Sequence, residues 1–394
     1  MPLHSSNQPP LTPHQSPRSV RVLQLSTVHP WDDNRICRKI CVSLVEDGYD
    51  VVLMAREANS DASIVPEGVE LHVLPNPRNR ILRGLISLGI WRRVRRLRPD
   101  IVHFHDPELI PAAILLSLLG YKTIYDVHED YPENIRIKQW VPWVIRRPLA
   151  LMMKMLEKVA TRTCAAVFVV TDQIGRRFPQ ERTSQLRNYP RLAEVEAGST
   201  RPEEIRSDAP LIFVGGLTTV RGICEMVEGL NLAESLSRRL LILGSAKDKS
   251  LQDWLKEQEN HGHLRLEGWC TRDEVVRAMA GAKCGMLPYL PTPPHVDALP
   301  TKLFEYMGAG LPIIASDFPL WREIIHRQGC GLLVDPTNVT AIAEAIDWMY
   351  QHPDEARIMG ENGRRAIRSN LNWESEARKL YEVYDELSSS LRSP

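Results

Sequence analysis

The chain has 394 residues, 43% hydrophobic and 25% charged, which is ordinary for a globular protein and enough for two domains with separate cores. Lys plus Arg and Asp plus Glu both number 49, so the formal net charge is zero; this argues against a dedicated nucleic-acid binder, though not against local basic patches. The seven Cys are scattered, without C-x-x-C spacing, and neither Cys nor His completes a metal site near Cys37 and Cys41, so free thiols in a reducing cytoplasm are expected.

In chain order, residues 1–18 are rich in Pro, Ser, Gln and His and lack the apolar core of a signal peptide, so a disordered tail is expected. Residues 20–26 read as a buried strand, 33–46 as a helix and 50–55 as a second strand. Further strands are expected at 69–74, 99–104, 122–126 and 165–170, with helical stretches between most of them. Arg187-Asn-Tyr-Pro190 closes this first half, 19–190, and the polar residues 191–208 make a linker. A second half, 209–372, repeats the series with strands at 210–214, 239–243, 264–266, 284–287, 312–315 and 331–334. The C-terminal segment, 373–394, carries an amphipathic helix over 373–391. No apolar run is long enough to span a bilayer. The alternation implies an α/β protein with doubly wound parallel sheets, in which ligands bind beyond the strand C-termini.

The densest signal is Asp297-Ala-Leu-Pro-Thr-Lys-Leu-Phe-Glu305-Tyr-Met-Gly-Ala-Gly-Leu-Pro-Ile-Ile-Ala-Ser-Asp317. Two carboxylates stand eight residues apart, a Pro precedes a short helical run, two Gly end it and an apolar strand follows. A helix start presents unpaired N–H groups and a positive dipole end, so Pro300, Thr301, Lys302 and Leu303 are expected to cradle an anion. Asp297 lies in the loop before the cradle, and Glu305 about one turn inside the helix. The arrangement suits a diphosphate carried between two hydroxyl-rich groups, as in a nucleotide sugar.

This stretch resembles the E-x7-E region of retaining glycosyltransferases of family 4, the glycosyl transferases group 1 type. The resemblance covers nearly the whole chain beyond the first twenty residues. It implies the GT-B fold, two Rossmann-like halves facing a central cleft, with a terminal helix crossing back to the first half. It also implies transfer from a nucleotide-diphosphate sugar as co-substrate, with retained anomeric configuration, no cofactor and no metal. In that scheme Arg221, Lys302 and the N–H groups near Pro300 hold the diphosphate, and Glu305 accepts from the ribose hydroxyls. Asp297 contacts the donor sugar and helps carry its developing positive charge. One departure is Asp297 itself, where the family has Glu; its side chain is shorter by one methylene.

After the first strand of the second half comes Phe213-Val-Gly-Gly-Leu-Thr-Thr-Val-Arg-Gly222, in which Gly215 and Gly216 let the backbone approach a phosphate and Arg221 can neutralise it. Many relatives carry a basic residue at the position of Gly216. Gly244 ends the next strand, and the loop holding Trp269 and Cys270 lies, by resemblance, beside the nucleotide base. Trp269 either stacks there or plugs the domain.

In the first half, His128 follows a strand and matches a family His that points into the cleft near the donor sugar. Glu129 and Asp130 stand next to it as orienting groups. His103 and His105 share a strand face with Asp106 and Glu108 nearby; an acceptor-side or structural hydrogen-bonding role for His105 and Asp106 is favoured over a metal site. Asp33 or Asn34 caps the following helix, and Arg35 points either to the cleft or to an internal acid. The Gly-rich loop that many relatives have here is missing.

Two basic stretches, 78–98 and 140–158, interleave Arg and Lys with Trp, Leu, Ile and Met. They read either as an anionic membrane surface or as ordinary helices that are apolar inside and basic outside. The acceptor expected from the whole pattern is a lipid-linked sugar or a growing surface polysaccharide, reached from the cytoplasm or the inner membrane face. The competing readings are a non-hydrolysing sugar-nucleotide epimerase of the same fold, against which the acid spacing speaks, and a catalytically inactive partner subunit, suggested only by Asp297 and Gly216.

Overall fold

A computed structural model describes residues 20–58, 64–76, 80–137, 141–196 and 205–392. The expected N-terminal tail, Arg78 and Trp140 lie outside them. Two compact units divide the chain: one runs to Arg187 and resumes at Ala377, and the other is Asn188–Glu376.

In the first unit seven strands form one sheet: β1 (Arg21–Pro30), β2 (Asp50–Arg56), β3 (Val69–Leu74), β4 (Ile101–Phe104), β5 (Lys122–Val127), β6 (Ala166–Val169) and β7 (Thr183–Gln185). Their order is β3-β2-β1-β4-β5-β6-β7, and every pairing is parallel. The central strands are continuous apolar runs because helices cover both faces. Leu23, Leu25, Val52, Phe104, Tyr125 and Val167 are buried in one core cluster. Strand β7 escapes sequence reading, since Thr-Ser-Gln at a sheet edge has no apolar period to betray it.

The second unit holds six strands: β8 (Leu211–Val214), β9 (Leu240–Leu243), β10 (Leu264–Gly268), β11 (Cys284–Leu287), β12 (Ile313–Ser316) and β13 (Gly331–Val334). The order β10-β9-β8-β11-β12-β13 repeats the first six positions of the other sheet, again wholly parallel. Each sheet therefore has a point where strand order reverses, between β1 and β4 and between β8 and β11. Ligands of doubly wound sheets sit beyond the strand C-termini at such points.

Helix Trp373–Arg392 leaves the second unit and enters the first. Its Tyr384 is fully buried in the first unit, where the hydroxyl meets Gln24 Nε2 and His103 Nδ1, both at 2.9 Å. Leu192–Glu196 forms a short helix within the expected linker. The cysteines are free thiols, most of them buried.

Candidate functional site

Chemistry-bearing side chains gather at the C-terminal end of each sheet. In the second unit, Gly215 (φ 147°) and Gly244 (φ 154°) end β8 and β9 in backbone conformations that side chains disfavour. A Cβ on Gly244 would lie 1.9 Å from the Gly215 carbonyl oxygen, so the two strand ends touch through bare backbone. Gly222 (φ 68°) turns the chain under Pro288, whose carbonyl oxygen lies 1.8 Å from where a Cβ would stand. The turn Thr219–Arg221 before it folds Arg221 back, and its Nη1 donates to the Gly216 carbonyl at 2.9 Å. The Arg221 guanidinium lies 5.7 Å from the centre of the Tyr289 ring.

Helix Thr301–Gly308 is anchored by Tyr306, whose buried hydroxyl accepts from the Val214 N–H at 3.0 Å. Gly285 of β11 is required beneath it, because a Cβ there would come within 2.3 Å of the Tyr306 ring. Pro300 is the N-cap and brings no side-chain acceptor, which leaves the first N–H groups of the helix uncapped. Leu303 corrects the expected cradle: its side chain is core and its N–H already donates to the Pro300 carbonyl at 3.1 Å. The N–H groups left uncapped at the helix start are thus those of Thr301 and Lys302.

Glu305 lies one turn in, with Lys302 Nζ at 2.6 Å and Arg272 Nη1 at 3.1 Å on the same oxygen. Arg272 was not singled out in the sequence, although it opens the helix just after Trp269 and Cys270. Burial raises the Tyr289 phenol; Arg221 lowers it and Glu305 raises it, so both charges act on one ring. The Asp297 carboxylate makes no hydrogen bond with a described residue, and its loop is pinned by Trp321 Nε1 donating to the Ala298 carbonyl at 2.7 Å. Trp269 is 80% exposed, so it does not plug the domain. Cys270 is half-buried. A cavity of about 670 Å³ opens beside Gly216, lined by Thr218, Lys247 and Trp254 among others.

In the first unit the centre is Asp126, fully buried at the end of β5. Arg35 grips it with both arms, Nε to Oδ2 at 3.0 Å and Nη2 to Oδ1 at 2.9 Å. His128 Nε2 lies 2.9 Å and His105 Nδ1 3.2 Å from Oδ2. His105 Nε2 meets Gln24 Oε1 at 2.9 Å, and the chain continues through Tyr384 to His103. Burial alone would raise the Asp126 carboxyl, but the Arg35 charge and His128 hold it well below the usual range. Burial lowers the pKa of both His103 and His105. Of the two fates expected for Arg35, the internal acid is the one found.

The neighbours of His128 differ from those expected. Asp126, not Glu129 or Asp130, holds its ring; Glu129 accepts from Asn134 Nδ2 at 2.7 Å and Asp130 pairs with Arg177 at 2.7 Å. Asp106 does structural work, accepting from Ser26 Oγ at 2.8 Å and the N–H of Thr27 at 2.6 Å. Asp33 is the helix cap, accepting from the N–H groups of Arg35 and Ile36, and it bonds His29 Nδ1 at 3.2 Å. Burial works against protonation of His29, but Asp33 and Asp106 outweigh it and raise its pKa. His103, His105 and Asp126 are close enough to share a metal ion. The Arg35 guanidinium already occupies both Asp126 oxygens, and a cation there would meet a cation.

Two wholly parallel, doubly wound sheets that share one order over six strands are the architecture of the GT-B fold. The chain matches the glycosyl transferases group 1 family over residues 200–366 and the glycosyl transferase 4-like domain over residues 34–187. It belongs to the group 1 (family 4) glycosyltransferases, and its activity is glycosyl transfer. It is similar to glycogen synthase of Mycobacterium tuberculosis, 23% identical with 93% of this chain and 94% of that protein covered. It is also similar to the D-rhamnosyltransferase WbpZ of Pseudomonas aeruginosa, 24% identical with 84% and 85% covered. Among solved structures, HepE of Anabaena in complex with UDP superposes with a TM-score of 0.71 at 12% identity, covering 94% of this chain and 100% of that one.

Proposed function

We propose that the protein transfers a sugar, with retention of anomeric configuration and without a metal ion, from a nucleotide-diphosphate sugar to a lipid-linked sugar or growing surface polysaccharide. The observation that carries this is the gathering of Arg221, Lys302, Arg272 and Glu305 with an uncapped helix start at the reversal point of the second sheet. Three cations and two free N–H groups meet the charge of a diphosphate without a divalent ion. Glu305, already held by two cations, is placed to accept from ribose hydroxyls. Trp269 offers an exposed ring for a base. Asp297 contacts the donor sugar and helps carry its positive charge as the bond to the diphosphate breaks. The leaving diphosphate takes the acceptor's proton on the same face, which preserves configuration.

His128 serves the acceptor side. Its Nε2 is tied inward by Asp126, so the opposite ring edge is the one that meets a sugar hydroxyl. The HepE complex with UDP supports a nucleotide donor in this fold. Thermal-shift titration with UDP, GDP and ADP and their sugars tests the donor site. At least one should raise the midpoint with the logarithm of its concentration above its Kd, and Glu305→Gln should blunt the rise. No shift with any of them would refute the donor assignment.

A further inference from the structure

Helix Trp143–Thr163 leaves an apolar face uncovered. Ala150, Glu157, Ala160 and Thr161 are its buried side. At 3.6 residues per turn, Val144, Leu151 and Met155 fall towards the opposite side, with Met152 and Val159 beside them. All five are exposed, Leu151 by 55% and Met155 by 59%. Arg147, Lys154, Lys158 and Arg162 run as a column along one flank of this stripe. The helix has one acid, Glu157, and it faces inward. Lys154, Lys158 and Arg162 also border a groove of about 340 Å³, in which the facing Arg177 is already paired with Glu157 and Asp130. A contiguous apolar stripe beside unpaired cations marks a docking surface rather than an ordinary solvated face.

We propose that this helix lays the protein on an anionic lipid bilayer, with the stripe at the acyl boundary and the cationic column and groove taking phosphate headgroups. The inference rests on the reading of the acceptor as lipid-linked and names the surface that would bring the enzyme to it. Charge selects the occupant. A second copy docking through the same face would set this column against its own like, whereas an anionic bilayer supplies apolar and negative matter side by side. The other basic helix, Arg80–Leu97, has no such stripe among its described side chains. There Ile90 and Val94 are buried, and Arg92 and Arg95 lie over Trp91 at 5.4 and 5.8 Å.

The test is co-sedimentation of the full chain with phosphatidylcholine vesicles, with and without phosphatidylglycerol. Binding should rise with phosphatidylglycerol and fall with salt. The triple variant Lys154→Gln, Lys158→Gln, Arg162→Gln should lower partitioning roughly a hundredfold, at about fivefold per charge. Leu151→Ser with Met155→Ser should weaken it comparably, and Gln at Arg92, Arg93, Arg95 and Arg96 should leave it unchanged. Circular dichroism checks folding, and brominated lipid should quench fluorescence in the wild type but less in Trp143→Phe. Indifference to anionic vesicles, insensitivity to both variants of this helix, displacement by inorganic phosphate far beyond that by sodium chloride at equal ionic strength, or a dimer dissolved by the Leu151/Met155 change would each overturn the proposal. The nucleotide-dependent thermal shift is read on the same samples. A protein that shifts with a nucleotide yet ignores vesicles refutes this inference alone; one that binds vesicles as described but shifts with no nucleotide refutes the donor reading and leaves the surface standing.

Discussion

On the proposed reading, Glu305 is the residue on which donor binding turns. Its carboxylate holds Lys302 and Arg272 in place and would exchange part of that pairing for ribose hydroxyls. Glu305→Gln removes a charged hydrogen bond, about 1.5–3 kcal/mol. Donor affinity and turnover should fall by one to two orders of magnitude in steady-state kinetics. Near-wild-type values in a folded variant would remove the assignment. A second residue prediction concerns Glu157, a buried acid sharing Arg177 with Asp130. Burial pushes its carboxyl up to about 7 from 4.5, with Arg177 opposing. A folded pKa above the unfolded one contributes stability that is present below about pH 4.5 and lost as pH rises through about 7. Urea unfolding at several pH values should show this decline in the wild type and a flatter profile in Glu157→Gln. Equal slopes would show that the acid is ionised throughout.

Elements position these residues through close backbone contacts. Gly244→Ala must push a Cβ into the Gly215 carbonyl at a φ that L-residues resist. It should cost about 1–3 kcal/mol and abolish the thermal shift given by whichever nucleotide stabilises the wild type; an unaltered shift would separate the glycine pair from the donor site. Much at this scale was legible in the sequence. The glycine turn at Gly215 and Gly216 after β8, the Pro300 helix start and the strand alternation followed from apolar runs and punctuation. What escaped depended on tertiary contact. Asp126 is the hub of the first unit; His128 follows it by two residues, but Arg35 and His105 reach it from other elements. Tyr384 arrives from the far end of the chain to meet His103. Arg272 meets Glu305 across a gap of 33 residues. No local period encodes such meetings.

At the scale of the whole molecule, the charge of a diphosphate is, on the proposed reading, met by side chains and a helix start. Activity should therefore survive EDTA undiminished in an initial-rate assay. Loss on chelation with recovery on magnesium or manganese would bring His103, His105 and Asp126 forward as ligands. The central claim is retaining transfer from a nucleotide sugar. It is tested most directly by incubating the protein with the donor that gives the largest thermal shift and following the products by proton NMR at early times. The account predicts slow release of nucleoside diphosphate together with free sugar in the donor's own anomeric configuration, and a large reduction of both in Glu305→Gln. Release of the opposite anomer, or conversion of the nucleotide sugar to its epimer without cleavage, would contradict it.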